Sequence, residues 1–169
     1  MNRFAALIAL LVIVGCTTPA KHEPEEVITL KPGTAADPVE VWVGVGGTGI
    51  RTGDTFAVTV GLDIAQPFEI QDRHARPPAI ATTVEFTSLP PGFHAVGQWS
   101  APPPVRSLWP DGHSVYVGQP AFVRKVRVDK KVKPGEYEIG CSIRYQACND
   151  RYCLPPITCD LPAVVNVKQ

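Results

Sequence analysis

Eighteen prolines in 169 residues constrain this chain more than any other feature. Four fall at 19, 24, 32 and 38; the rest recur at 67, 77, 78, 90, 91, 102 to 104, 110, 120, 134, 155, 156 and 162. Each lacks a backbone donor and clashes with a continuing helix, so few stretches can hold a long helix. An all-α architecture is excluded. The intervals between prolines read instead as short strands bounded by Gly, Asp and Pro turns. Val39 to Val45 and Thr55 to Asp63 are two such runs, and Phe56, Val58, Val60 and Leu62 share one face with the period of two that marks a half-buried strand. Ile80 to Leu89, Phe122 to Val128, Tyr137 to Tyr145 and Ile157 to Val167 complete the set.

About seven to nine short strands in some 130 residues indicate an immunoglobulin-like β-sandwich. Hydrophobic residues make up 44% of the chain, enough for a packed core. Sixteen basic residues balance sixteen acidic ones, so no basic excess exists to hold a nucleic-acid backbone. The longest irregular stretch is Gly97 to Gly118, with three consecutive prolines and the aromatics Trp99, Trp109 and Tyr116. Loops of that length are often lids or binding loops. Aromatics closing the end of the core is the equal alternative.

The N-terminus reads as an address. Arg3 precedes an apolar run from Phe4 to Val14, too short for a finished membrane span. Ile13-Val14-Gly15-Cys16 resembles the bacterial lipobox, in which the cysteine is lipidated and becomes the first mature residue. Ordinary cleavage near Ala20 is the competing reading. Residues 1–15 are thus expected to be a lipoprotein signal peptide, 16–38 a lipidated Cys16 with a flexible tether, and 39–169 the folded domain. The tether has room for one short strand at Val27 to Leu30. Cleavage removes Arg3 and no acid, leaving 15 basic against 16 acidic residues, a net of −1. The expected location is the periplasmic face of a bacterial membrane, reached only through the lipid, with Thr17 leaning towards the outer membrane. That compartment permits disulfides.

Cys141, Cys148, Cys153 and Cys159 then remain within nineteen residues. Four cysteines allow three pairings, and the strand pattern selects one. Tyr137, Ile139, Cys141, Ile143 and Tyr145 form one inward row; Ile157, Cys159, Leu161, Ala163 and Val165 form another. A hairpin turning near Asp150 places Cys141 opposite Cys159 and brings Cys148 to Cys153 at its tip. The expectation is a buried structural disulfide, 141–159, and an exposed, more labile one, 148–153.

The segment Tyr145-Gln146-Ala147-Cys148, four residues, then Cys153-Leu154-Pro155-Pro156 resembles the periplasmic N-terminal domain of DsbD-type thiol:disulfide interchange proteins. The likeness extends through Gly53-Asp54-Thr55, Leu89 to Phe93, the Trp99 to Val117 segment and Lys133 to Tyr137, covering about residues 40 to 167. The resemblance implies an immunoglobulin-like domain in which Cys148 and Cys153 form the redox pair, with Cys153 making the mixed disulfide. It implies thioredoxin-like periplasmic partners, including cytochrome c maturation proteins, and a cap loop over the pair, here drawn from Trp99, Trp109 and Tyr116. Such domains are usually fused to a transmembrane electron conduit, so a separate transmembrane thiol reductant is expected. The 141–159 pair departs from the family pattern and supports a second reading, a non-catalytic binding or assembly sandwich stapled twice.

No cofactor, metal or nucleic acid is expected. Gly44 to Gly49 matches GxGxxG, but a turn and not a helix follows. The cysteines lack zinc-knuckle spacing. His22, His74, His94 and His113 are scattered, and no nucleophile elbow occurs.

Overall fold

The computed structural model describes residues 26–169, except 35, 48, 108, 110 and 111. The signal peptide, Cys16 and the first part of the tether lie outside the described residues. The described chain has no helix and twelve strands in three antiparallel sheets, an all-β sandwich. Five strands form one layer in the order β1 (Glu26–Lys31), β2 (Val39–Gly46), β3 (Thr55–Ile64), β9 (Ala121–Val128) and β6 (Phe93–Ser100). The opposing layer is β12 (Ile157–Val167), β10 (Gly135–Tyr145) and β5 (Thr83–Ser88).

Strict alternation builds the core between them. Val39, Val41, Val43 and Val45 of β2 and Phe56, Val58, Val60 and Leu62 of β3 are buried, as are Phe122, Val126 and Val128 of β9. Ile139, Cys141, Ile143 and Tyr145 of β10 face them beside Cys159, Leu161, Ala163, Val165 and Val167 of β12. β-branched side chains dominate because they pack well on a pleated, half-buried surface.

The inward rows of β10 and β12 match the sequence expectation, but their register does not. Cys141 lies opposite Leu161, and Cys159 opposite Ile143. This is a slip of two residues from the expected pairing. Slipping by two preserves which face each side chain occupies, so the hydrophobic pattern cannot distinguish the two registers. The β10–β12 ladder stops at Tyr145 opposite Ile157, and a long connection, not a tight turn, joins the strands. Cys141 and Cys159 become diagonal neighbours, whose typical separation of about 7–8 Å exceeds disulfide reach. Both are free, buried thiols, and the expected 141–159 bridge is absent.

The tether expectation also changes. β1 pairs with β2 as an edge strand, extending the anticipated Val27 to Leu30 strand. Asp37 is buried, accepts the Tyr145 hydroxyl at 2.8 Å and pairs with Lys31. Lys31 Nζ also donates to Tyr145 Oη at 3.1 Å and to the Val39 carbonyl at 3.1 Å. Among the described residues the sandwich thus includes Glu26–Lys31 as a strand, with Asp37 buried against it.

A third sheet, absent from the sequence reading, carries Cys148. Its order is β11 (Ala147–Cys148), β4 (Glu69–Gln71), β8 (Ser114–Tyr116) and β7 (Val105–Arg106). Ile70, Tyr116 and Ala147 join the sandwich core from one face of it. Glu69, Gln71, Val115 and Cys148 lie on the other face, by the alternation of paired strands. These four are buried nonetheless, and Ser107 and His113 bond to Glu69 and Gln71 from above.

Candidate functional site

Cys148 and Cys153 are joined by a disulfide, S–S 2.03 Å, with Cα atoms 4.0 Å apart. They form an isolated antiparallel bridge at the hairpin tip. The loop between them is held by Asn149, whose backbone N–H donates to the Tyr152 carbonyl at 2.9 Å. Its Oδ1 accepts from the N–H groups of Arg151 and Tyr152, both at 3.0 Å. Such Asx geometry is why Asn serves at tight turns. Beneath the bridge, Leu154 N–H donates to the Ala147 carbonyl at 2.8 Å, and the Gln146 amide donates to the Leu154 carbonyl at 2.9 Å.

The two sulfurs are not equivalent. Cys148 is 1% accessible, locked in β11 opposite Glu69. Cys153 is exposed, followed by Pro155 and Pro156, which are exposed too. Of the two sulfurs, that of exposed Cys153 is the one open to attack from solvent, and attack there would make Cys148 the leaving group.

A cleft of about 740 Å³ opens beside the bridge, lined by both cysteines, Gln146, Trp109 and His113 on one side and by the 72–79 loop on the other. A second groove of about 540 Å³ runs past Pro67, Trp109 and Tyr152. Tyr152 is 51% exposed and meets Phe68 edge-on, ring centroids 6.3 Å apart. Trp109 lines both grooves. Its indole Nε1 is buried without a hydrogen-bond partner among the described residues.

The three aromatics expected to cap the site divide. Only Trp109 lies beside the disulfide. Trp99 lies in β6, 8% accessible, with its ring 4.8 Å from that of Phe86. Tyr116 is 3% accessible and packs edge-on against Phe122 at 5.3 Å. Both belong to the core, because the segment expected to be irregular contributes β7, β8 and the end of β6, whose inward positions they occupy.

The cover is fastened by polar groups that sequence reasoning did not single out. Ser107 Oγ donates to Glu69 Oε1 at 2.5 Å and receives the Trp109 N–H at 3.0 Å. Ser107 N–H donates to the His113 carbonyl at 2.8 Å. His113 Nε2 lies 3.0 Å from Gln71 Nε2 and 3.7 Å from Glu69 Oε1. Nothing in a three-residue polar strand announces that it will be buried; the only signal was the alternation of Glu69 and Gln71 about apolar Ile70.

The remaining cysteines are chemically quiet. Burial pushes the Cys141 thiol up to about 12. Cys159 is also raised, chiefly by burial, against the opposing effect of Lys31. Neither supplies a useful thiolate near neutral pH. No cluster of three or more metal-ligating side chains occurs among the described residues.

Fold and site define an all-β sandwich with one asymmetric, half-exposed disulfide at a covered tip. No protein-family model matches this sequence, and no curated protein matches it. Among solved structures, it is similar to the N-terminal periplasmic domain of ScsB from Proteus mirabilis, with a TM-score of 0.55 at 11% identity. The match covers 85% of this chain and 52% of that one, so this chain spans about half its length. At that identity the likeness is one of fold.

Proposed function

We propose that this chain is a thiol-disulfide exchange module of the bacterial periplasm, working through Cys148 and Cys153 and attached to a membrane by a lipid on Cys16. Electrons would come from a thioredoxin-like donor served by a separate transmembrane reductant, and pass to oxidised periplasmic proteins, cytochrome-maturation thioredoxins among them. The observation that carries the reading is the asymmetry of the bridge, with an exposed Cys153 bonded to a buried Cys148 at the mouth of a cleft. The fold shared with a periplasmic domain of ScsB supports it, as does the Cys148 to Pro156 motif.

Each exchange balances. A donor thiolate attacks Cys153 Sγ, the Cys148–Cys153 bond breaks, and the electron pair passes to Cys148 Sγ. The donor's second thiolate then attacks its own sulfur in the mixed disulfide and releases Cys153. In the reverse direction Cys153 attacks an oxidised partner and Cys148 resolves the product. The alternative of a doubly stapled binding sandwich drew on a second bridge, and Cys141 and Cys159 are free thiols.

The test is mixed-disulfide trapping with oxidised thioredoxin. Cys148→Ser should accumulate the adduct through Cys153, and Cys153→Ser should not. Trapping by Cys153→Ser alone would reverse the assigned roles, equal trapping by both would remove the asymmetry, and trapping by neither would end the redox reading.

A further inference from the structure

Reduction leaves a negative charge on the sulfur least able to hold one. When the bond breaks at Cys153, the electron pair lands on Cys148, 1% accessible. A thiolate there is desolvated, and its cross-strand neighbour is the Glu69 carboxylate, on the same face of β4–β11. Burial and a like charge both disfavour the anion. The step therefore needs a proton delivered inside the cleft.

Resting on the exchange reading above, we propose that His113 carries that proton. It is the histidine of the Ser107–His113 stretch that bonds to β4, and it lines the same cleft as both sulfurs. Its Nε2 lies 3.0 Å from the Gln71 side-chain amide, which accepts from the imidazolium when its oxygen faces the ring, and 3.7 Å from Glu69 Oε1, which in turn accepts from Ser107 Oγ. The Trp109 ring flanks it at a centroid distance of 6.3 Å. Across the cleft stand Asp72, His74 and Arg76. Histidine is the side chain whose protonation changes in the physiological range.

The balanced step follows. Donor thiolate, disulfide and imidazolium give a mixed disulfide at Cys153, a neutral Cys148 thiol and a neutral imidazole. In the resolving direction the imidazole takes the Cys148 proton, and the resulting thiolate attacks Cys153 Sγ to release the reduced partner. Glu69 and Gln71 are positioning residues that orient the ring.

The experiment measures reduction of Cys148–Cys153 in the full chain by dithiothreitol, quenched with acid and read by alkylation and mass spectrometry. Rates are divided by the dithiothreitol thiolate concentration, so the reagent's own titration drops out. The wild-type normalised rate should fall as pH rises through the range where histidine loses its proton, about 5 to 8. His113→Gln should flatten the profile and slow the acid limb, on the order of a hundredfold for a lost general acid. A normalised profile in His113→Gln that superimposes on wild type would overturn the proposal while leaving the redox reading intact. A bridge that dithiothreitol cannot open in the folded chain would end both.

Discussion

Once the Cys148–Cys153 bond is reduced, four thiols of the folded domain compete for an alkylating reagent, and their environments rank them. Cys153 is exposed, Cys148 and Cys141 are each 1% accessible, and Cys159 is 9% accessible. Burial raises Cys141 from 9.0 to about 12. Three units correspond to about a thousandfold less thiolate at neutral pH, and the thiolate is the reacting species. Cys141 should therefore react at least about a thousandfold more slowly than an open thiol, before any steric hindrance. The same shift has a consequence for stability. The folded-state value lies above the unfolded one, so rising pH strips the proton from the unfolded chain first. Stability is intact below about pH 9 and declines from there to about 12, by on the order of 4 kcal/mol for this group. The assay is a timed iodoacetamide pulse on reduced, folded protein, with peptides counted by mass spectrometry, beside urea midpoints taken from pH 8 to 11. The expected order is Cys153 first, with the buried thiols behind it and Cys141 labelled only on unfolding. Labelling of Cys141 as fast as Cys153 would refute the burial argument. A 141–159 bond found by peptide mapping of the untreated protein would refute the register.

Two further substitutions probe the frame. Tyr145→Phe removes a fully buried hydroxyl that bonds both Asp37 and Lys31, and should destabilise by about 1.5–3 kcal/mol, as for hydrogen bonds to charged groups. Limited proteolysis should then cut within residues 26–38 before the rest of the domain, and an unchanged urea midpoint would show that the latch contributes nothing. Gly61→Ala tests a close approach: Trp42 lies opposite Gly61 across β2–β3, and an added Cβ would fall 2.2 Å from its ring. Displacing the indole should lower stability by about 1–3 kcal/mol, measured as a drop in Tm; a neutral result would mean the ring swings aside freely.

The N-terminal segment illustrates how local composition misleads. Prolines at 19, 24, 32 and 38 made residues 16–38 read as a tether. Asp37 and Lys31 carry charges that suit a solvated linker, yet both are drawn onto Tyr145, more than a hundred residues away. Buried polar groups need partners, and a partner supplied by β10 is invisible to any window on the sequence. The charge-paired phenol also explains why the Tyr145 ionisation is raised, by burial first and then by Asp37.

Absence of long helices, the two-layer β architecture and the inward rows of β2, β3, β10 and β12 were all written in the sequence. Proline is a local veto on helix, and a period of two is a local property of a strand. The closeness of Cys148 and Cys153 was legible for the same reason, since four residues between them leave little room to part. Tertiary structure alone decided the β10–β12 register, because a two-residue slip exchanges neighbours without turning any side chain to the other face. That slip separates Cys141 from Cys159 and leaves one bridge where two were expected. It also took the assembled third sheet to sort Trp99 and Tyr116 into the core and Trp109 over the disulfide. Burial of Glu69 and Gln71 beside His113 came from four short strands drawn from distant parts of the chain. Which face of such strands is covered depends on what folds across them, and no stretch of two or three residues encodes that.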